Sequence, residues 1–363
     1  VNINKWKSTP FNLNSICFPP NLSLDYDNTL TPIDLNEKYC LDDKIHSMRK
    51  SAECHRQVRR YIQPLLKPGV KYLDICKKLE EKTVELMGRN DLTQGVGFYT
   101  SWSVNDVAAH DSAIPNDTRI LKYDDVLKLD FGTHVNGYIT DCAFTVAFNP
   151  IYKPLLDSTK EATWEAIKMA GPDVRMNDIS NKIKETIESY EMEKDGKVIP
   201  IRSIGNLGGH NIKQYQIHGG DIILCKPSYG GYYENRKMKE DTCYAIETFA
   251  STGSGQVIED TNSHCSHYMK SINHPKIPLQ FNITKKLYNH ITNKRNTLPF
   301  CTRWLNDTFE NNYQTGLNEL VQKNIVKKYP PLIDPSGGYS SQLEHTIYLH
   351  KSGKEILSYG EDY

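Results

Sequence analysis

Apolar positions along the chain alternate between helical and strand-like spacing, and the switches mark the elements. From about Asp42 to Leu66 they follow a helical pattern that stops before Pro68-Gly69. A second helical stretch runs from Tyr72 to Met87, with Leu73, Ile75, Cys76, Leu79, Val84 and Leu86 as its apolar residues. Strand-like spacing begins near Gln94. VLKLDFGTH (126–134) followed by GYITDCAFTVAF (137–148) reads as an antiparallel hairpin with its turn centred near Val135 and Asn136. Helices are expected again at Pro154–Met169 and Met176–Tyr190. Strands follow from about Lys197, through Gln216–Ile223, to Cys243–Phe249. KYDDVLKLDFGT and MKEDTCYAIETFAST each place an acidic pair, a strand, and then a carboxylate close to a Phe. This faint echo fits a duplicated half.

Two regions break the pattern. Residues 1–38 are polar and interrupted by Pro10, Pro19, Pro20 and Pro32, which predicts an irregular surface arm. Residues 271–328 read as a helix-rich insert with lopsided charge. Lys276, Lys285, Lys286, Lys294, Arg295, Arg303, Lys323, Lys327 and Lys328 stand against Asp307, Glu310 and Glu319. Such a run is either a solvated face or a contact site for RNA or the ribosome.

With 38% hydrophobic residues in 363, the chain has enough apolar material for a sizeable core. Lys+Arg and Asp+Glu both total 44, so net charge gives no argument for a nucleic-acid or membrane partner. No apolar run approaches the roughly 18 residues of a membrane span. Nine scattered cysteines include no C-x-x-C pair and read as reduced thiols, which suits a cytoplasmic protein.

The chemistry lies in carboxylates that interrupt apolar strands. Asp130 and Asp141 sit in the two arms of the hairpin, opposite or diagonal to one another, where like charges are destabilising. An ion pair of Asp130 with Lys128 is one resolution and a divalent cation is the other. Glu247 in CYAIETFA and Glu344 in QLEHTIYLH are embedded in the same way, and burying an unpaired carboxylate is costly. Collected around metal ions, the four explain one another. GGH at 208–210 and IHGGD at 217–221 add His210 and His218. An oxygen-rich set with one imidazole suits Mn, Fe, Co or Zn, and the absence of H-E-x-x-H argues against single-zinc helix proteases.

In combination, AECHRQVRRYIQPLLKPG, VAAH, YDDVLKLDFGTH, DCAFTVAFNP, GGHNIKQYQIHGG, YAIETFASTG, CSHYMK, LPFCTRW, YPPL and LEHTIYL resemble the type 2 methionine aminopeptidases from about Ser51 to the C-terminus. The resemblance implies an α+β pita-bread (creatinase/aminopeptidase) fold with an internal pseudo-two-fold. Its catalytic domain would span 39–270 and 329–363, and the insert 271–328. It implies removal of the initiator methionine from nascent chains with a small second residue, by two divalent metal ions (Co, Mn, Fe or Zn). Position by position, the metal ligands fall on Asp130, Asp141, His210, Glu247 and Glu344. The catalytic residues fall on His110, His218 and Glu247. Substrate contacts fall on the same two histidines and on Phe98, Ile217, His267 and Tyr329. The expected partners are nascent polypeptide N-termini and, on the basic insert, the ribosome. A cytoplasmic monomer is expected, with no membrane and no specific nucleic acid. Three positions depart from the family pattern: Tyr99 and Ser101 in FYTSW, Leu343 before the last ligand, and Pro299 on the pocket wall. Two rival expectations remain, a prolidase or aminopeptidase P on the same fold, and a non-catalytic binding protein of the proliferation-associated kind.

Overall fold

A computed structural model describes residues 13–14, 22–31, 43–231 and 234–362. Most of the arm expected at 1–38 therefore lies outside the described residues. Its described part includes a short strand, β1 (Ser23–Asp25), rather than only irregular chain.

The first half starts with α1 (Asp43–Ile62) and α2 (Tyr72–Met87). The α-helix ends at Ile62, short of the expected Leu66, and gives way to a 3₁₀ turn over Gln63–Leu65. Pro64 explains this, because it lacks an N–H and its ring clashes with the carbonyl one turn back. Gly88, at φ 74°, closes α2 in the left-handed conformation. The helices lie against β2 (Gln94–Val104) and β4 (Val126–Val135), with β3 (Val107–Ala109) between them in sequence and β5 (Tyr138–Ala147) completing the sheet β2-β4-β5. Leu127, Leu129 and Phe131 pack with Val58, Ile62, Cys76 and Leu79 in one buried cluster. The hairpin turn sits one residue later than expected, on Asn136 and Gly137, both at positive φ (51° and 79°). That pair suits the tight turn whose twist matches the strands. Gly132 therefore faces Asp141 and Ala143 faces Asp130, so the two aspartates are diagonal neighbours.

The second half repeats the plan. It contains α3 (Lys153–Met169), α4 (Met176–Glu188), a hairpin of β6 (Glu191–Lys194) and β7 (Lys197–Pro200), then β8 (Arg202–Ser203), β9 (Gly208–Ile212), β10 (Ile222–Leu224) and β11 (Thr242–Ser251). Gln216–Asp221, expected to be extended, is instead a loop leading into β10. After β12 (Ile258–Glu259) and β13 (His267–Lys270) come α5 (Asn282–Lys294), β14 (Phe300–Cys301), α6 (Thr302–Phe309) and α7 (Gln314–Gln322). These helices bury their own cluster around Leu287, Ile291, Phe300, Leu305, Leu317 and Leu320. The chain returns through β15 (Val326–Tyr329), β16 (Leu332–Ile333), β17 (Ser340–Leu349) and β18 (Gly353–Ile356). The second sheet runs β1-β18-β17-β11-β9-β10, with β8 also on β11.

The halves meet where β5 runs beside β17 without a regular ladder. Threonine hydroxyls bridge the seam. Asp141 N donates to Thr346 Oγ1 (2.8 Å), and Thr145 Oγ1 donates to the Gln342 carbonyl (2.7 Å). Each half thus brings one carboxylate on a central strand, Asp130 on β4 or Glu247 on β11, and one on the strand beside the seam, Asp141 on β5 or Glu344 on β17. This is the pseudo-two-fold that the sequence echo suggested.

Candidate active site

Glu247 and Glu344 face each other directly across β11 and β17. His210 reaches the same place from β9, paired with Ala245 of β11. Two glycines allow that approach. A Cβ on Gly208 would lie 2.1 Å from the Ile223 carbonyl, and one on Gly209 2.2 Å from that of Ala245. Asp141, His210 and Glu344 bring ligand atoms within 4.8 Å of one another. His210 Nε2 is 3.6 Å from Asp141 Oδ2 and 3.8 Å from Glu247 Oε1.

The electrostatics are unfavourable without a cation. Among the described residues, no Lys or Arg forms an ion pair with Asp130, Asp141, Glu247 or Glu344. Lys128 does not form the ion pair with Asp130 that its spacing allowed, because its ammonium donates to the carbonyls of Asn105 (2.8 Å) and Val126 (3.3 Å). Burial pushes the Asp130 carboxyl up to about 7 despite the Gln342 amide. Asp141, Glu247 and Glu344 are pushed well above the usual range, by burial first and by neighbouring carboxylates second. Burial and the neighbouring His218 hold His210 neutral. Asp130 Oδ1 and both Glu344 oxygens are buried without a hydrogen-bond partner. Orphaned acceptors cost about 1–3 kcal/mol each, more when charged, so this donor set fits a divalent cation that accepts both carboxylate and imidazole ligands.

All five residues lie in one cleft of about 870 Å³, together with Phe98, His110, Ile217, His218, His267 and Tyr329. His110 directly follows β3 at φ 69°, a left-handed conformation that costs a residue with a Cβ about 1–2 kcal/mol. Burial lowers its pKa to about 4, so it is neutral near pH 7. His267 stacks on Tyr329 with ring centroids 4.8 Å apart and meets His110 edge-on at 5.1 Å. His218 stands edge-on to His210 at 4.5 Å.

The sequence reading missed two residues here. Gln342 donates to Glu247 Oε2 at 3.1 Å, and its position two residues before Glu344 on one strand face was the available signal. Tyr99, noted only as a departure, is buried against His267 at 4.6 Å.

The sequence pattern of Metallopeptidase family M24 matches residues 46–263. Methionine aminopeptidase 2A of Arabidopsis thaliana is 46% identical over 318 residues, covering 88% of this chain and 71% of that protein. Methionine aminopeptidase 2 of Schizosaccharomyces pombe is 46% identical over 331 residues, covering 90% and 76%. Among solved structures, a thermophilic Arx1 superposes with a TM-score of 0.72 at 19% identity, covering 89% of this chain and 92% of its own. Methionine aminopeptidase from Thermotoga maritima gives 0.58 at 20%, covering 88% and 98%; at these identities both speak for the fold alone. The family match and the relatives near half identity, spanning most of both chains, make this protein a member of the methionine aminopeptidase 2 family of M24 metallopeptidases.

Proposed function

We propose that this aminopeptidase removes the initiator methionine from nascent chains with a small second residue, at a centre of two divalent ions held by Asp130, Asp141, His210, Glu247 and Glu344. The observation that carries the reading is the convergence of one neutral imidazole and four carboxylates, none ion-paired to a Lys or Arg among the described residues, in a largely apolar cleft. In this assignment Asp141 and Glu344, one from each half, would hold the ions together with Asp130, His210 and Glu247. When bound, such ions polarise a peptide carbonyl and activate water.

The chain's own residues supply the rest. Glu247, held by the Gln342 amide, takes the proton of the attacking water and passes it to the leaving amine. Neutral His110, with His218 across the cleft, positions the scissile carbonyl and stabilises the charge that develops on it. The free N-terminal amine is received at the acidic floor beside Asp141, which limits cleavage to residue one. Phe98, Ile217, His267 and Tyr329 form an apolar and aromatic wall suited to a flexible thioether.

We assign 271–328 as an insert between the two parts of the catalytic domain, 39–270 and 329–363; the separate cluster of its helices supports this. We place the protein in the cytoplasm as a monomer acting at polypeptide N-termini, with the ribosome as a further partner. Free thiols at all seven described cysteines support the compartment. No helix among the described residues is long and apolar enough to cross a membrane. Comparing Met-Ala-Ser with Met-Pro peptides tests the substrate. Faster cleavage of Met-Ala-Ser is expected. Preference for proline at the second position would move the assignment to a prolidase or aminopeptidase P, and no cleavage of either would favour a binding protein.

A further inference from the structure

The basic run of the insert is not all solvated. Arg303 and Arg295 are both buried, and only Arg303 has a carboxylate partner among the described residues, Glu80 at 2.8 Å. Arg295, just past α5, uses its guanidinium on backbone instead. Nη1 donates to the Val96 carbonyl at 2.8 Å, and Nη2 to those of Gly97 at 2.8 Å and Pro299 at 2.9 Å. The Trp304 indole lies 4.9 Å from the guanidinium carbon, and its N–H donates to Glu80 at 2.8 Å. Burial lowers the Arg295 pKa to about 10, which leaves the cation intact at neutral pH.

Of the three carbonyls, that of Pro299 belongs to a cleft-lining residue, and the other two lie on β2 immediately before Phe98, which also lines the cleft. The register of β2 against β4 slips between Val96 and Phe98, and such a slip takes carbonyls out of the ladder. A planar guanidinium can serve adjacent acceptors that a lysine cannot serve together. The next residue, Phe98, turns its ring onto Gly132, where an added Cβ would meet it at 2.2 Å. Pro299 lines the same cleft.

We propose that Arg295 is a positioning residue that sets the width of the first-residue pocket, clamping the β2 bulge that carries Phe98 to the Pro299 wall of the insert. The proposal rests on the methionine-pocket reading above. It gives one buried cation of the insert a role in side-chain selectivity and none at the reacting atoms.

The test compares metal-loaded wild type, Arg295→Lys and Arg295→Met on Met-Ala-Ser and on the same peptide beginning with ethionine, one methylene longer. In Arg295→Met, KM for Met-Ala-Ser should rise about fivefold with kcat within about twofold, because the reacting groups are untouched. Preference for methionine over ethionine should fall about threefold, with Arg295→Lys between. Unchanged KM and selectivity, or a fall in kcat alone, overturns the proposal. Hydrogen exchange over 94–104 adds a readout independent of turnover. Faster exchange at the bulge is expected in Arg295→Lys, which keeps the charge if Arg295→Met fails to fold, and unchanged exchange overturns the proposal. Inactivity of the wild type is instead the failure of the functional reading, and exchange then decides the clamp alone.

Discussion

Asp141 shows most sharply what the site demands of a single side chain. It is buried, its backbone N–H donates to Thr346 Oγ1, and it has Asp130, Glu247 and Glu344 as neighbours with no Lys or Arg partner among the described residues. Asp141→Asn removes a charge without changing shape. Asp141→Asn and His210→Ala are each expected to reduce turnover of Met-Ala-Ser below detection; wild-type turnover by purified Asp141→Asn protein would refute the ligand assignment. Metal removal should show in stability as well. The folded chain keeps the Asp130 proton up to about 7, whereas an unfolded aspartate loses it near 3.9, so its contribution to stability falls as pH rises through that window. Asp141, Glu247 and Glu344, each raised by burial first and by neighbouring carboxylates second, add to this loss in the same direction. Buried His110, with its pKa lowered to about 4, acts oppositely, losing stability as pH falls from about 6.5. The gap in Tm between metal-loaded and chelated protein should therefore widen from pH 6 to pH 8. A constant or narrowing gap in thermal melts would contradict this. At this scale the sequence was informative, because a carboxylate in an apolar strand is an anomaly that needs no partner to be noticed. Gln342 was not noticeable in that way, since a glutamine in a strand breaks no rule.

Among the elements, α2 was readable because one-sided burial enforces its period, and the β4–β5 hairpin because two apolar runs, buried along nearly their whole length, flank a short turn. The strand β9 was not, because Gly208 and Gly209 leave no side chain to show alternation, and their reason for being glycine is contact with β10 and β11 far along the chain. The loop 216–221 was misread for the converse cause, as Ile217 is apolar for the cleft and not for a sheet. The link between α6 and the catalytic half was hidden inside a run that looked solvent-facing. Glu80 of α2 accepts from both Arg303 guanidinium nitrogens, from Trp304 and from the Thr100 amide. Burial alone would raise the Glu80 pKa, but Arg303 and these bonds hold it below the usual range. Arg303→Met leaves that carboxylate buried and unpaired, and should lower the unfolding free energy by about 3–5 kcal/mol in denaturant melts. Adding Glu80→Leu should recover part of the loss. Additive losses in the double variant would mean that the pair is not an energetic unit.

For the whole molecule, the fold is a device for bringing carboxylates from two similar halves to one seam. The sequence hinted at the duplication through paired acidic-strand motifs, yet their identity is thin. What the halves share is the placement of one carboxylate on a central strand and one beside the seam. Its far end is also fastened to the catalytic body. Asp362, next to the C-terminus, accepts from Arg59 of α1 at 2.6 and 2.8 Å and from Gln63 at 2.7 Å. The most direct test of the account is turnover of Met-Ala-Ser by chelated protein as a divalent metal is added back in measured equivalents. A two-ion centre gives no activity without metal and a rise that saturates near two ions per chain. Full turnover by the chelated protein would contradict it.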